Sequence, residues 1–272
     1  MCEGVTDTVP SPAPGVRRDR SLPARLLASA LFLPCFYIIT LRGDVQFVLL
    51  VDLVILTGLL EFYQLLEVKG FKPMKVVGVG CGLALSWYAF FRTGVYGNFL
   101  LAFILLLMMT VELSRRSVEQ AVLHISTTIF GVLYVGWLGS HLVMLRELPR
   151  LAGLDYQLGA EFVFLVFLLT WGCDSGAYLV GRTFGRHPLF PRVSPKKSRE
   201  GAIGGVAFAL FAGWLAHATF ASDWLELPIA LGLGLLAAVA GQTGDLVESL
   251  MKRDSQVKDS AHIIPGHGGT LD

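Results

Sequence analysis

The chain has 272 residues, of which 54% are hydrophobic and 16% charged, with a mean hydropathy of +0.62. That composition excludes an ordinary soluble domain of this size and predicts an all-α, polytopic helical membrane protein. The net charge of +1 decides little, because in such a protein the distribution of charge says more than its sum. Four scattered cysteines, Cys2, Cys35, Cys81 and Cys173, form no C-x-x-C pair and indicate neither a disulfide framework nor a zinc site.

In chain order, residues 1–25 contain four prolines together with Arg17, Arg18, Arg20 and Arg25, so residues 1–23 read as a disordered basic tail. The small residues Ala28-Ser29-Ala30 open the following apolar stretch instead of closing it, which argues against a cleaved signal peptide. Apolar runs long enough to cross about 30 Å of hydrocarbon fall near 24–41, 45–66, 74–91, 95–113, 120–145, 159–181, 202–221 and 226–250. About eight transmembrane helices are therefore expected, five in an N-terminal group (24–145) and the rest in a region (159–272) that carries the polar motifs. Lipid leaves backbone polar groups without partners, so runs this apolar must be helical, and the alternation of a barrel is absent. With the N-terminus inside, 18 of the 22 basic residues collect on the cytoplasmic side, leaving Arg42, Arg92, Arg146 and Arg150 outside. The expected location is the inner cell membrane, multi-pass, with the polar segments 182–200 and 251–272 facing the cytoplasm.

Two constellations carry candidate chemistry. The first runs from Asp174-Ser-Gly-Ala-Tyr178 through Gly181-Arg182 to Ser194-Pro-Lys196-Lys197-Ser198 and the glycines Gly201, Gly204 and Gly205. Asp174, Tyr178 and Gly181 share a helix face; an acid within a span is costly, so Asp174 faces a polar cavity or pairs with a buried group. The Lys-Lys stretch reads either as a phosphate-binding element or as an ordinary positive-inside loop. Its glycines permit close approach of a ligand or of a neighbouring helix.

The second begins at Gly241-Gln-Thr-Gly-Asp245 and continues through Glu248, Ser249, Lys252 and Arg253. Asp245, Ser249 and Lys252 fall on one stripe at the helix end, as a phosphate and metal site or as a solvated terminus. Beyond it, Lys258, Asp259 and Pro265-Gly-His267-Gly268-Gly269 lead to Asp272. The glycines suit a phosphate-binding nest or a plain tight turn. Carboxylates at Asp245 and Asp272 around Lys252, Arg253 and Lys258 suit a hard cation with phosphate oxygens, hence phosphoryl or nucleotidyl transfer. His124, His141 and His217 read as core residues. Asp52, Glu61 and Glu161 are intramembrane or interfacial acids with no motif around them, and Tyr96, Tyr156 and Trp224 fit an interfacial belt.

Ser249-x-x-Lys252-Arg253-x4-Lys258-Asp259-x5-Pro265-x-His267-Gly268-Gly269-x-x-Asp272 closely resembles the signature of the phosphatidate cytidylyltransferase (CDP-diacylglycerol synthase) family. The motifs around Asp174 and Ser194-Pro-Lys196-Lys197 are similar to that family's upstream elements, in the same order. The resemblance implies that CTP and phosphatidic acid are condensed to CDP-diacylglycerol and pyrophosphate with Mg²⁺, and admits a second cation such as K⁺. It implies metal ligands at Asp245 and Asp272, and catalytic or signature roles at Asp174, Lys252, Arg253, Lys258, Asp259 and His267. Substrate contacts are implied at Ser194, Lys196, Lys197, Ser249, Gly268 and Gly269. The partners expected are the two substrates and membrane lipids, with a homodimer admissible and no nucleic acid. The family pattern continues past the final aspartate with an Arg, a second Asp and a further span, and has an aliphatic residue at the place of Thr270. This chain therefore reads as C-terminally truncated. The alternatives are a CTP-dependent polyprenol or lipid kinase and an ion-coupled membrane transporter.

Overall fold

The computed structural model describes residues 21–91, 97–115, 118–256 and 269–271. Among them run α1 (Ser21–Arg42), α2 (Asp44–Val68), α3 (Lys75–Phe91), α4 (Gly97–Leu113), α5 (Ala121–Gly131), α6 (Leu138–Ala152), α7 (Leu158–Phe184), α8 (Arg199–Ala216) and α9 (Leu227–Asp254). A π-helical stretch, Val132–Trp137, joins α5 and α6 into one rod, and another, His217–Ala221, extends α8. Five rods are long and apolar enough to cross a membrane: 44–68, 121–152, 158–184, 199–221 and 227–254. The apolar helices α3 and α4 are shorter, at 17 residues each. The protein is an all-α, polytopic membrane protein. Its only described strands are β1 (Pro188–Phe190) and β2 (Ser194–Ser198), an antiparallel hairpin between α7 and α8 with Pro188 opposite Ser198 and Phe190 opposite Ser194.

Helix ends lie within a few residues of the hydropathy limits except in the fifth rod, which runs on to Ala152. Hydropathy stops at 145 because Arg146 and Glu147 follow, yet both are essentially buried. Arg146 Nε donates to Thr40 O (2.7 Å), Nη2 to Leu41 O (3.0 Å) and Nη1 to Tyr156 O (3.0 Å). A guanidinium thus satisfies the last carbonyls of α1, where an α-helix leaves acceptors unpaired and favours positive charge. Gly43 beside it is left-handed (φ 66°), and a Cβ there would strike the guanidinium. The Tyr156 hydroxyl donates to Glu147 Oε1 (2.7 Å) and accepts from Asp44 N (2.7 Å). Burial and the Glu147 carboxylate push the Tyr156 phenol above its ordinary pKa, so it remains a donor. Tyr156, partly buried between two spans, therefore also serves as a joint between α1, α2, α6 and α7.

The core of this half is bulky: Phe36, Phe47, Ile55, Leu59, Phe62, Tyr63, Phe90, Val143 and Val163 interlock. At the opposite end, Glu112 holds His124 Nδ1 (2.8 Å) and Arg115 Nε (3.2 Å) and so ties α4 to α5. His217 is likewise satisfied, its Nδ1 lying 2.7 Å from Leu225 O. Trp224 Nε1 donates to Glu161 (2.5 Å), which joins the start of α7 to the turn before α9.

α7 and α8 form the most extensively packed pair. A Cβ at Gly176 would lie 2.8 Å from Gly204 O, one at Gly201 2.9 Å from Ala177 O, and one at Gly205 3.0 Å from Cys173 O. The glycines of α8 thus serve the approach of a neighbouring helix, the small-residue packing that takes over where lipid and side chain are equally apolar. Backbones this close fix where the polar ends of α7 and α8 emerge.

Candidate active site

Where α7, the hairpin, the start of α8 and the second half of α9 meet, they enclose an open cavity of about 490 Å³. Asp174, Tyr178 and Arg182 line it from successive turns of α7, and Ser194, Lys196, Lys197 and Ser198 from β2. Gly201 and Ala202 contribute from α8, and Gln242, Asp245 and Leu246 from α9. Each is there for a local reason. Ser198 accepts from Gly201 N (3.1 Å) and caps α8, which starts the helix at the end of the strand. Glu200 accepts from Arg186 N (3.1 Å) and His187 N (3.2 Å), with His187 Nδ1 at 2.5 Å, so the loop leaving α7 is pinned to α8. Arg253 Nε donates to Val193 O (3.3 Å) and fastens α9 to the hairpin turn.

Inside the cavity, Lys197 and Asp245 form an ion pair. Asp174 is close enough to both for their charges to interact. Arg182 Nη1 donates to Tyr178 Oη (3.0 Å), and Lys196 is exposed at the mouth. Gln242 Nε2 donates to Ala202 O (3.1 Å) beside Cys173, stitching α9 to α8 at the cavity floor. Two carboxylates, three cationic side chains and the N-terminal turn of α8 thus converge on one space bordered by Leu189 and Leu246. A helix N-terminus and lysine or arginine favour anionic oxygens, while carboxylates recruit a hard cation that phosphates can share.

The model of the cytidylyltransferase family matches residues 23–272. The chain belongs to this family. Phosphatidate cytidylyltransferases of Bacillus subtilis (strain 168), Synechocystis sp. and Staphylococcus haemolyticus are 33%, 32% and 34% identical to it. The matches cover 91%, 91% and 93% of this chain and 90%, 90% and 92% of those proteins.

Of the positions that the sequence offered for a cytidylyltransferase site, the cavity brings together Asp174, Ser194, Lys196, Lys197 and Asp245. Ser249, Lys252 and Arg253 lie one and two turns further along α9 and do not line it. Lys252 pairs with Glu248 (2.9 Å), and Arg253 holds the hairpin. Gly269 is buried. Lys258, Asp259, His267, Gly268 and Asp272 lie outside the described residues, and among those described no group of three or more His, Cys, Asp or Glu side chains is placed to hold a metal. Gln242, Arg182 and Ser198 stood inside the two constellations, but sequence reasoning gave them no catalytic, substrate or metal role. Gln242 carried a usable signal, an amide inside an apolar helix three residues before Asp245.

Proposed function

We propose that this cytidylyltransferase acts on phosphatidic acid, condensing it with CTP to give CDP-diacylglycerol and pyrophosphate. The observation that carries the reading is the cavity in which Asp174 and Asp245 share their walls with Lys196, Lys197 and Arg182. Its apolar rim at Leu189 and Leu246 suits a lipid headgroup. The named relatives act on phosphatidate, which supports the same substrate here.

The nucleophile is an oxygen of the lipid phosphomonoester, whose second pKa near 6 leaves it largely dianionic at neutral pH. It attacks the α-phosphorus of CTP; the bond from that phosphorus to the β-phosphate oxygen breaks, and pyrophosphate leaves with the electron pair. No side-chain base is required. The protein must bring two polyanions together and stabilise charge on the α-phosphoryl and leaving oxygens. Lys196, Lys197 and Arg182 are the cations at the cavity for that task, and Lys197 can turn from Asp245 to phosphate. The donor set fits Mg²⁺: Asp245 already holds cationic charge in its pair with Lys197, and Asp174 faces the same space. Asp245 together with Asp272 would hold the ion, which when bound supplies positive charge to phosphate oxygens, and K⁺ suits a second, weaker site. The basic residues favour a multi-pass orientation in the inner membrane with the hairpin end facing the cytoplasm.

Labelled CTP tests this. Label from the α-phosphate should enter chloroform-soluble lipid with release of pyrophosphate. Transfer of the γ-phosphate with release of CDP would replace this reading with a lipid kinase.

A further inference from the structure

Gln242 lines the cavity from α9, three residues before Asp245 and so further from the charged end of that helix. Its amide nitrogen is engaged with both neighbouring helices: Nε2 donates to Ala202 O on α8 (3.1 Å) and to Cys173 Sγ on α7 (3.5 Å). Packing there is tight, since a Cβ at Gly205 would come within 3.0 Å of the same nitrogen. These contacts fix which way round the amide stands, because turning it over would set its oxygen against the Ala202 carbonyl. Oε1 therefore faces away from Ala202, and among the described residues no protein donor meets it. The cavity thus holds an uncharged hydrogen-bond acceptor in a fixed orientation.

Few groups can use such an atom. Phosphate oxygens are acceptors themselves and find Lys196, Lys197 and Arg182 in the same space. A neutral acceptor calls for an N–H or O–H donor. Ala177, Ala202 and Leu246 give the cavity an apolar lining that suits the flat face of a ring, and the exposed Tyr178 offers an aromatic surface of the kind on which bases stack. Cytosine carries an amine at C4. Uracil carries a carbonyl there, whose oxygen would face the amide oxygen.

We propose that Gln242 selects the nucleobase: its Oε1 accepts from the 4-amino group of cytosine and sets a preference for CTP over UTP. This deepens the reading of CTP as substrate and rests on it. A site built to pair with an N–H rejects the analogue lacking it, because its own polar atom is then left unpaired.

Competition against labelled CTP in equilibrium dialysis, with the full chain in detergent, tests this without turnover. The competitors are CTP, UTP and the triphosphate of pyrimidin-2-one riboside, which lacks only the 4-amino group. Wild type should bind the last two about 10-fold or more weakly than CTP, and Gln242→Met should bind all three within about 3-fold of one another. If the variant does not fold, the wild-type series decides: equal binding of CTP and the pyrimidinone overturns the base contact. So does a preference that survives in folded Gln242→Met, as it would if the amide only stitched α9 to α8. Loss of discrimination between CTP and its 2′- or 3′-deoxy forms instead would assign Oε1 to a ribose hydroxyl, and a raised Mg²⁺ requirement with an unchanged CTP-to-UTP ratio would assign it to a cation; either result overturns the proposal. Wild type that binds no CTP at all sinks the substrate reading itself, an outcome distinct from wild type that binds CTP without regard to its amine.

Discussion

Helices α1, α2, α3 and α6 interlock through large side chains such as Phe36, Phe47, Phe62 and Phe90, whereas α7, α8 and α9 meet through glycine and alanine, with Gly176, Gly204, Ala209, Ala212 and Ala238 at their contacts. The first group buries charge at its joints, Arg146 under α1 and Glu61 against the chain's far end. The second leaves its charge facing an open cavity. Bulky packing locks helices and can enclose a satisfied ion. Close backbone packing leaves little space between these helices, and the polar groups of α7, α8 and α9 face one shared pocket. Stability and chemistry should accordingly fail separately in the two regions.

The largest effect is expected from Arg146→Met, which leaves Thr40 O, Leu41 O and Tyr156 O without their donor. Thermal unfolding in detergent should show a loss of about 3–5 kcal/mol, typical of removing one partner from a buried charged network. Protein that remains folded should keep its turnover. Asp245→Asn is the mirror case. Its side chain is half exposed, so the melting temperature should hardly move while CDP-lipid formation falls about 10²–10³-fold, the scale of losing one preorganised electrostatic group. A variant with full turnover would remove Asp245 from the site.

Gly176→Ala comes next and sharpens the contrast in packing. In an isolated helix the change is favourable by about 1 kcal/mol, but here the new Cβ would press on Phe208 and Gly204 O. The helix pair should lose about 1–3 kcal/mol, and a neutral or stabilising result would show that α7 and α8 are further apart than described. Smallest is Lys196→Ala. Its ammonium is exposed, so half-saturation by CTP or lipid should rise about 5-fold, in line with one solvent-screened charge pair, with kcat little changed.

Some of this was legible in the order of residues. Asp174 within an apolar run, Lys196-Lys197 in a loop and Asp245 near a helix end each announced themselves against their neighbours, and all three line the cavity. Glu61 also stood out, as an acid in an apolar run, but its partners did not, because they lie 209 and 210 residues away. Arg146 misled in the other direction. It ended the apolar run at 145, although carbonyls 105 and 106 residues earlier make it an interior residue. The stripe from Asp245 to Lys252 was correct as helical geometry, yet the cavity reaches only Leu246, and Lys252 pairs with Glu248 instead.

The sequence by itself determined the class of the protein, the approximate helices and the residue types at their polar ends, because apolar length, helical period and local charge are properties of neighbours along the chain. Only the tertiary structure decided that the glycines of α8 receive a helix, that Gln242 stitches the cavity floor, and that α2 holds both Asp254 and Thr270–Leu271. Those outcomes depend on which distant backbone groups become unpaired when helices pack, and a buried charge can be read as joint or as site only once its partners are known.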